Sequence, residues 1–569
     1  MRVNLIGTFK KGTGVSQDAQ IIHGMVAHVF GKETEIRHVP HYHPQCTPAE
    51  INIFIEVINP ALFIFAAKNI WIPNPEWTYQ TWEPYSKMVD EVWVKTHEAE
   101  TLFGSWGARA RYIGWTSIDK TVPEQKNYKK AIVPVGKNIW RNPRPVIQMY
   151  MWIQRNQPDL YSLLPELHVV HTPEHVELPP VPNEVADKVI LHSEFMTEEA
   201  YDTLLKECGL CICTSAAEGF GHAVNEAMST GSILILSPID PFMELTNNKN
   251  VLWLSEMKRT PHPQCLGSLY DIEPKSLYET LRMYVEYSYP VCQRLSGLMR
   301  ERYEESHARF IETITGALQT LADTPTYSLD TMLPPEDSLP AVSIITITRD
   351  RRPFIPLAKF CFLSQAYPDA KMEWVIVDDG QDQIKDLVSE IPNVKYILVD
   401  EPMTIGAKRN LAVEKASHDI LLMLDDDDVY PNNSILTRVA YMLTHPAKQC
   451  IFSTTIPCYE IHEKKSFMNV PPITLSMSQR VSEATLCFTR QFWLTRGFPD
   501  QQIAEADLFI RGRENQCREV TPQDVIVSLI HKKNTSSRKP PAMSEPNGCH
   551  YGFADELFTL VSEIGMSIE

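Results

Sequence analysis

The sequence predicts an α/β protein in which several domains form around parallel β-sheets. The chain has 569 residues, and at roughly 150 residues per domain it should form three or four packing units. Short apolar, β-branched runs alternate with segments of helical periodicity, which is the pattern of β-α-β units. The hydrophobic content of 43% and the charged content of 22% are close to globular averages, so cores of ordinary size can form.

The apolar runs predict strands on both sides of a proline-rich segment. Before that segment they lie at 3–7, 62–66, 91–95, 131–135, 167–171, 189–192, 210–214 and 233–236. After it they lie at 342–347, 373–378, 394–399, 420–424 and 450–454. Their number, with a break near residue 127, predicts two Rossmann-like lobes and then one further α/β domain.

The proline-rich segment itself marks the clearest boundary. "ADTPTYSLDTMLPPEDSLPA", residues 322–341, interrupts every periodic pattern and is typical of a linker. Just before it, residues 295–321 carry apolar side chains at helical spacing and predict a long amphipathic helix. We expect a first unit at 1–322 with lobes at about 1–127 and 128–322, a linker at 323–340 and a last domain at 341–569.

Charge and composition exclude some classes of protein. The formal net charge of -18 argues against a nucleic-acid partner, because phosphate backbones are bound by basic surfaces. The N-terminus lacks the longer apolar core of a signal peptide, and no stretch reaches the roughly 18 apolar residues of a membrane span. The twelve cysteines show no regular spacing, which favours reduced thiols. We therefore expect a cytoplasmic protein without a membrane span.

Four consecutive aspartates follow an apolar strand in "LLMLDDDDVYP", residues 421–431. If the chain stays extended, Asp425 and Asp427 point to one face and Asp426 and Asp428 to the other. Two unit charges about 4 Å apart repel by about 1 kcal/mol even in water, so a bound Mg²⁺ or Mn²⁺ would relieve them. A solvated acidic turn is the alternative for this stretch alone.

The neighbouring segments favour a nucleotide-diphosphate site. "EWVIVDDGQDQ" ends another apolar strand at Asp378 and Asp379. Ligands of open α/β sheets bind at the carboxyl ends of strands. Between the two acidic strand ends, "TIGAKRNLAVEK" predicts a helix that carries Lys408 and Arg409. Carboxylates at strand ends beside a basic helix fit a metal-bridged diphosphate.

Taken together, "VSIITITRDRRPF", "EWVIVDDGQD", "IGAKRNLAVEKASHDILLML" and "DDDDVYP" resemble the nucleotide-binding half of family 2 glycosyltransferases, which have the GT-A fold. The similarity covers roughly residues 341–535. It implies that Asp379 contacts the base of the donor nucleotide and that Asp425 and Asp427 form the D-x-D pair on the ribose and the metal. The nucleotide-sugar site implied by the resemblance comprises Thr348, Asp379, Lys408, Arg409, Asp425 and Asp426. The implied ligands of a Mn²⁺ or Mg²⁺ cofactor are Asp425, Asp427 and His531.

The residue that would deprotonate the acceptor is left open between two acids. "AEADLFIRGR" occupies the place of the family's Glu-Asp pair, and counting back from Arg511 puts Ala504 at the Glu and Glu505 at the Asp. Glu505 can perform the same proton transfer with a longer side chain, and Asp507 is the second candidate. The alternative is the start of an amphipathic helix with exposed acids. In the same way His531, in "LIHKKNTS", is a metal ligand by resemblance or a structural histidine.

In the first half, "CTSAAEGFGHAVNEAMSTGSILILS" (213–237) is the most informative stretch. We expect Glu218 on a loop, a helix that starts near Gly221, and Glu226 on that helix. Free backbone N–H groups at a helix start attract phosphate, and glycines let a ligand approach closely.

This stretch resembles the E-G-F-G and E-A-M-x-x-G signature of family 4 glycosyltransferases, which have the GT-B fold, and the similarity runs through roughly residues 1–322. It implies that Glu226 binds the donor ribose and that Glu218, a catalytic candidate, meets the sugar and phosphates. No metal cofactor is implied for this half. The implied nucleotide-sugar site comprises Gly14 of a glycine-rich loop, the basic pair Lys137 and Arg141, and Gly219, Phe220, Gly221, His222 and Glu226. Exposed basic residues and an ordinary turn are the alternatives for the pair and for the loop.

The sequence thus predicts two glycosyltransferases in one chain. Each would transfer a sugar from a nucleotide-sugar donor to a glycan or glycoconjugate acceptor. The first would retain anomeric configuration without metal, and the second would invert it with a divalent ion. The alternatives are one active transferase tethered to a degenerate glycan-binding domain, and a non-catalytic carbohydrate-binding scaffold.

Overall fold

A computed structural model describes most of the chain. The described residues are 1–9, 12–43, 46–121, 126–173, 175–178, 180–194, 196–328, 334–522, 524–532, 534, 553 and 555–567. They divide into two compact units. Unit 1 comprises 1–41, 50–58 and 67–325, and unit 2 comprises 42–49, 59–66 and 326–569.

A six-stranded sheet of order β2-β1-β3-β4-β5-β6 forms the first lobe of unit 1. Its strands are β1 (Arg2–Gly7), β2 (Glu35–Pro40), β3 (Ala49–Ile55), β4 (Ala66–Ile72), β5 (Glu91–Val94) and β6 (Ala110–Tyr112). The accompanying helices are α1 (Gly14–Phe30), α2 (Glu83–Ser86) and α3 (His97–Ser105). β1 pairs with β2 and β3 in parallel, as does β5 with β4 and β6. The continuous burial of β3 fits a strand that is covered on both faces.

A second parallel sheet, of order β12-β11-β10-β7-β8-β9, forms the second lobe. Its strands are β7 (Asn127–Gly136), β8 (Glu166–His171), β9 (Val189–His192), β10 (Cys208–Cys213), β11 (Ile233–Leu236) and β12 (Leu252–Trp253). An antiparallel hairpin, β13 (Glu256–Pro261) and β14 (Ser268–Ile272), follows. The helices are α4 (Arg144–Asn156), α5 (Pro158–Leu163), α6 (Glu198–Glu207), α7 (His222–Ser229), α8 (Asp240–Leu245), α9 (Pro274–Val285) and α10 (Tyr289–Gln319).

The long helix α10 contributes to the core of both lobes. Its buried Met299 and Tyr303 belong to the same apolar cluster as Val224 of α7, and further along Phe310 packs edge-on against Trp115, at 5.3 Å between ring centroids. This is the amphipathic helix that the periodicity of residues 295–321 predicts, begun about two turns earlier. It fixes the two lobes on one continuous element.

Unit 2 contains a seven-stranded mixed sheet of order β17-β16-β15-β18-β22-β19-β23 and a small sheet β21-β20-β24. The strands are β15 (Val342–Thr348), β16 (Met372–Asp378), β17 (Val394–Leu398), β18 (Ile420–Met423), β19 (Cys450–Phe452), β20 (Ile456–Glu460), β21 (Lys465–Asn469), β22 (Cys487–Thr489), β23 (Cys517–Glu519) and β24 (Ser528–Ile530). The helices are α11 (Ile355–Leu363), α12 (Lys385–Val388), α13 (Ile405–Lys415), α14 (Ser434–Leu443), α15 (Met477–Arg480), α16 (Arg490–Thr495), α17 (Glu505–Ile510) and α18 (Asp555–Ser567). Strands β17, β16, β15 and β18 run parallel, so their carboxyl ends share one edge.

The predicted strands match observed ones in both units, with one exception. Residues 62–65 lie in a 3-10 helix, Pro60–Phe65, that Asn59 caps through its side chain, and Ala66 begins β4. The apolar run is buried, but Pro60 at its first position favours a helical turn. Apolar runs of this length do not distinguish a buried strand from a buried helical turn. Within the described part of the chain, no helix combines the length and the apolar content needed to cross a bilayer.

Gly209 provides a test of the packing in the second sheet. A Cβ there would lie 2.7 Å from the Cα of Tyr128 and 2.9 Å from the carbonyl oxygen of Asn127. We expect Gly209→Ala to lower the free energy of unfolding by about 1–3 kcal/mol, because β10 and β7 must move apart. The matched control is Gly316→Ala in α10, where nothing lies within 4 Å of the added carbon; it should be neutral or stabilising by up to about 1 kcal/mol. Urea unfolding measures the free energy for both variants. Equal changes in the two would contradict the close contact of β10 with β7 at Gly209.

Candidate active sites

The first site forms around the glycine loop that precedes α7. Gly221 has a φ of 101° and caps α7, and an added Cβ would lie 2.5 Å from Phe242. Such a left-handed position favours glycine. A Cβ at Gly219 would lie 2.7 Å from Glu76 Oε2. The two glycines therefore let the backbone pass close to side chains from both lobes, with Phe220 buried between them.

Glu218 lies on this loop and Glu226 on α7, as predicted. The Glu218 carboxylate accepts hydrogen bonds from Arg141 Nε at 2.5 Å and from Ser215 Oγ at 2.8 Å. Its second oxygen accepts from Arg141 Nη2 at 3.1 Å. This bidentate pairing is the strong geometry for a guanidinium and a carboxylate. Arg141 thus holds Glu218 in place, while Lys137 follows the carboxyl end of β7.

Residues of the first lobe face α7. Gln17 of α1 donates to Glu226 Oε1 at 2.7 Å, and burial raises the pKa of Glu226. Gly14 begins α1, and a Cβ there would be 3.4 Å from the ring of His222. The predicted glycine-rich loop and the E-G-F-G segment therefore meet across the two lobes.

A buried ionic network links the same elements. Asp18 of α1 is fully buried and contacts Lys95 Nζ at 2.5 Å, Trp115 Nε1 at 2.6 Å and His222 Nε2 at 2.8 Å. His222 also meets the Ser117 hydroxyl at 2.8 Å. Burial alone would raise the pKa of Asp18, but Lys95 and His222 outweigh it and lower the pKa to about 2. The network orients His222 toward the first lobe.

The second site lies at the shared carboxyl edge of β15, β16 and β18 in unit 2. Asp379, just after β16, accepts from Lys408 Nζ at 2.7 Å and from the backbone N–H of Met403 at 2.8 Å. Thr348, at the end of β15, donates to Asp426 Oδ2 at 2.6 Å. The parallel register of the strands thus gathers residues that lie up to 78 positions apart.

The four aspartates do not alternate as an extended strand would. β18 ends at Met423, so residues 425–428 form a turn whose carboxylates diverge. Asp428 accepts from the backbone N–H of Leu529 at 3.0 Å, whereas Asp426 and Asp427 both face Arg351. Asp425 lies 3.7 Å from Arg409.

Arg351 is the basic residue that faces Asp426 and Asp427 of the acidic turn. It forms an ion pair with Asp427 and lies 3.6 Å from Asp426. Burial and the charge of Asp427 raise the pKa of Asp426. Burial also acts to raise that of Asp427, but the hydrogen bond with His531 and the charge of Arg351 lower it below its usual range.

His531 approaches the same carboxylate. Its Nε2 lies 3.2 Å from Asp427 Oδ2, and Asn534 Nδ2 lies 3.4 Å from the same oxygen. Carboxylate oxygen and imidazole nitrogen are donors that Mn²⁺ accepts. Among the described residues, however, no three His, Cys, Asp or Glu side chains group as a metal site.

The two candidate bases lie in different surroundings. Glu505, the first residue of α17, is buried and forms an ion pair with Arg409 at 2.9 Å. Asp507 accepts from Ser478 Oγ at 2.7 Å and pairs with Arg511. Arg409 connects Glu505 to Asp425, so Glu505 is the acid beside the aspartate turn.

Several residues of the two sites are not indicated by any motif in the sequence. Asp18 and Lys95 are far apart in the chain and carry no motif. Glu76 lies in the aromatic stretch "NIWIPNPEWTYQTWEP" (69–84), where an acid among buried rings is the only signal. The basic run "TRDRR" (348–352) could have indicated Arg351, since a cation is needed near four aspartates.

Comparison with known proteins finds similarity to glycosyltransferases in both halves of the chain. Residues 343–503 match the family "Glycosyl transferase family 2", and residues 183–258 match "Glycosyl transferases group 1". The first match contains the carboxyl edge of β15, β16 and β18, and the second contains the E-G-F-G loop and α7. The chain thus has a GT-B-like N-terminal half and a GT-A-like C-terminal half, which confirms the fold class expected from the sequence.

Similarity to individual proteins is partial. An uncharacterized glycosyltransferase of Haemophilus influenzae is 25% identical over 111 residues, which are 19% of this chain and 44% of that relative. The crystal structure of S. aureus TarS 1-349 overlaps 33% of this chain and 60% of its own, at 18% identity and a TM-score of 0.29. The mannosyltransferase PcManGT from Pyrobaculum calidifontis, in complex with GDP-Man and Mn2+, overlaps 35% and 58%, at 18% identity and a TM-score of 0.28. The chain therefore spans less than two thirds of each of these proteins.

The network around Asp18 predicts a pH-dependent stability. Because the folded pKa of Asp18 is lowered to about 2, its ionised form stabilises the fold above pH 4, and this contribution is lost as the pH falls toward 2. We expect the difference in unfolding free energy between the wild type and Asp18→Asn to shrink by about 2 kcal/mol from pH 5 to pH 2. Urea titrations across this range measure the difference. Asp159→Asn, at an exposed position of α5, is the control for the substitution itself, and a difference for Asp18→Asn that does not change with pH would refute the linkage.

Proposed function

We propose that the chain is a bifunctional glycosyltransferase whose two halves each transfer a sugar from a nucleotide-sugar donor to a hydroxyl of a glycan acceptor. The observation that carries the proposal is the paired arrangement of buried carboxylates and cations at both matched regions. Glu218 with Arg141 marks one region, and Asp379 with Lys408 marks the other. In each case the pair lies where the resemblance locates the donor.

In the C-terminal half, the strand edge supplies a donor site. Asp379 would contact the base, Asp425 the ribose, and Lys408 and Arg409 the diphosphate. Arg409 is only 3% exposed, and its Nη1 has no hydrogen-bond partner within the described residues. A buried guanidinium with a free N–H group is suited to an anionic oxygen. Thr348 supports this surface by orienting Asp426.

A divalent cofactor is proposed for this half alone. Asp427 and His531 supply the donor atoms that converge, with Asp425 on the same turn, and their chemistry fits Mn²⁺ or Mg²⁺. When bound, the ion would neutralise the diphosphate that leaves with the nucleotide. Arg351 pairs with Asp427, so the guanidinium and a bound ion would compete for that carboxylate.

The proposed chemistry of this half is a single displacement. Glu505 removes the proton of the acceptor hydroxyl, and the resulting oxygen forms a bond to the anomeric carbon. The bond from that carbon to the diphosphate oxygen breaks on the opposite side, so the configuration inverts. The ion pair with Arg409, at 2.9 Å, holds the Glu505 carboxylate beside the aspartate turn, where this role requires it.

In the N-terminal half we propose retention of configuration without metal. Glu226 would bind the ribose, the backbone of Gly219, Gly221 and His222 would meet the phosphates, and Glu218 would face the sugar. Lys137 is the available cation for the diphosphate, since Arg141 is paired with Glu218.

A second candidate function is one active half joined to a degenerate glycan-binding half. The observation in its favour is Ala504, which stands where the family's Glu is expected and adopts a left-handed φ of 57°. Such a conformation is unusual for a residue other than glycine. Turnover of donors by the N-terminal half alone would support this alternative.

Activity of the two sites can be separated with matched variants. We expect Asp427→Asn to reduce Mn²⁺-dependent transfer by about 10- to 100-fold, because a metal ligand is lost. Glu226→Gln should instead reduce the use of a different donor that needs no metal. Donor consumption is measured over a panel of nucleotide sugars, with Mn²⁺ and with EDTA, and thermal melting checks the fold. If the wild-type chain consumes no donor under any condition, the proposal fails and the binding scaffold is favoured.

The identity of the base is tested separately. We expect Glu505→Gln to lower kcat of the metal-dependent reaction by about 10²- to 10⁴-fold, the usual contribution of a general base. Asp507→Asn should change kcat little, because that carboxylate faces Ser478 and Arg511, whereas Glu505 lies beside the aspartate turn through Arg409. Asp507→Asn is the control, because it removes one carboxylate charge from the same helix, two residues away. A larger loss in Asp507→Asn than in Glu505→Gln would reverse the assignment.

A further inference from the structure

Two loops from the two lobes of unit 1 are held together by backbone hydrogen bonds. The backbone N–H of Gln80 donates to the carbonyl of Gln264 at 2.9 Å, and that of Leu266 donates to Thr78 at 3.0 Å. Tyr79 and Cys265 form an isolated antiparallel bridge. The segments 74–80 and 262–267 therefore have fixed relative positions, and so do the side chains that they carry.

Three polar atoms in this region have no hydrogen-bond partner within the described part of the chain. They are Glu76 Oε2, Trp140 Nε1 and His262 Nε2. Glu76 is 7% exposed and His262 is 6% exposed. Leaving a buried polar group unsatisfied costs about 1–3 kcal/mol. Three such groups in one region are therefore better explained by a bound ligand than by a contribution to stability.

Trp140 and His262 are in ring contact, and Glu76 is joined to them through Trp77, the next residue in the chain. The ring of Trp140 lies 5.0 Å from that of His262 in a T-shaped contact, and the ring of Trp77 lies 6.1 Å from Trp140. Glu76 precedes Trp77 in the chain, and its free oxygen is 2.7 Å from the position of a Cβ on Gly219. The group of polar atoms therefore adjoins the glycine loop of the first site.

Their hydrogen-bonding capacity is specific. His262 Nδ1 accepts from the backbone N–H of Cys265 at 2.8 Å, so the ring proton is on Nε2, which is a donor. Trp140 Nε1 is also a donor. Burial, together with the charge of Glu218, raises the pKa of Glu76 to about 8, so its carboxyl can be neutral and can both donate and accept.

Two donors, one mixed group and flanking aromatic rings complement a sugar better than an ion. Hydroxyl groups donate and accept in equal measure, and the apolar faces of a pyranose ring pack on aromatic side chains. A metal would require several carboxylate or imidazole ligands, and the three groups comprise only one carboxyl and one imidazole. A phosphate would require a cation, and none of the three groups is one.

We propose that Glu76, Trp140 and His262 form a saccharide subsite that binds the hydroxyls of one pyranose ring beside the Gly219 loop. The proposal rests on the glycosyltransferase function proposed for the N-terminal half. The ring belongs either to the donor sugar or to the acceptor glycan. The chemistry of recognition is the same for both.

The main variant is Glu76→Met, which keeps about the same side-chain length and removes both carboxyl oxygens. We expect it to weaken binding of the sugar about tenfold, since a lost hydrogen bond of about 1.4 kcal/mol corresponds to that factor. It should also raise the urea midpoint of unfolding, because a buried unpaired carboxyl is removed. Glu76→Gln should recover most of the lost affinity. A purely structural Glu76 would instead give a lower midpoint with unchanged binding.

Trp140→Phe removes one N–H donor and keeps an aromatic ring. We expect an affinity loss of about fivefold to tenfold. Its matched control is Trp253→Phe, because Trp253 Nε1 also has no partner within the described residues but belongs to β12, outside the proposed subsite. Equal effects of the two substitutions on sugar binding would overturn the proposal.

Binding to the full chain is measured in EDTA, with three kinds of probe. The nucleoside diphosphates UDP, GDP and ADP report nucleotide binding, and UDP-glucose, UDP-GlcNAc, GDP-mannose and ADP-glucose report the donor sugar, both by calorimetry. Saturation-transfer NMR with free glucose, mannose, galactose and GlcNAc, in the presence of the bound nucleotide, reports an acceptor ring. If Glu76→Met loses affinity only for nucleotide sugars, the ring in the subsite is the donor sugar. If it loses only the free-sugar signal, the ring belongs to the acceptor.

The outcomes separate this proposal from the function on which it rests. If the wild type binds a nucleotide sugar and neither probe responds to Glu76→Met or Trp140→Phe, the subsite is wrong and the transferase function stands. If no nucleotide binds but a free sugar gives a Glu76-dependent signal, the subsite stands and the transferase function fails. Absence of any sugar-dependent signal overturns the subsite.

Discussion

The compensation of buried carboxylate charge by a neighbouring cation is the constraint on which both sites depend. An isolated carboxylate would be neutral or expelled from a low-dielectric interior, and one paired with a guanidinium or ammonium stays ionised. In unit 1 this holds for Asp18 with Lys95, and Glu218 forms a bidentate ion pair with Arg141. The pairs fix the position of each carboxylate as well as its charge.

Unit 2 contains three such pairs of an acid with a cation. Lys408, Arg409 and Arg351 each face an acid, at Asp379, Glu505 and Asp427 respectively. Each of these pairs brings a cation to one sheet edge, and these cations are the local positive charge that an anionic ligand would need. The overall charge of -18 therefore does not prevent binding of a diphosphate.

Local sequence signals were sufficient where one element decides the outcome. The strands Val189–His192 and Ile233–Leu236 have the predicted bounds, and the E-G-F-G segment gives a loop and then a helix because Gly221 accepts a left-handed φ. The signal failed at Pro60–Phe65, where a buried apolar run forms a 3-10 helix. It failed also at the aspartates, because β18 ends before them and the alternation of faces is lost.

The sequence by itself determined the α/β class, the resemblance to two kinds of glycosyltransferase and the acids that follow β16 and β18, since periodicity and short motifs depend on near neighbours in the chain. Only the tertiary structure decided that Arg141 pairs with Glu218 and Arg351 with Asp427, and that Glu76, Trp140 and His262 lie together. These contacts join residues from different strands and loops. Strand order and loop packing, which no local pattern encodes, bring them within reach.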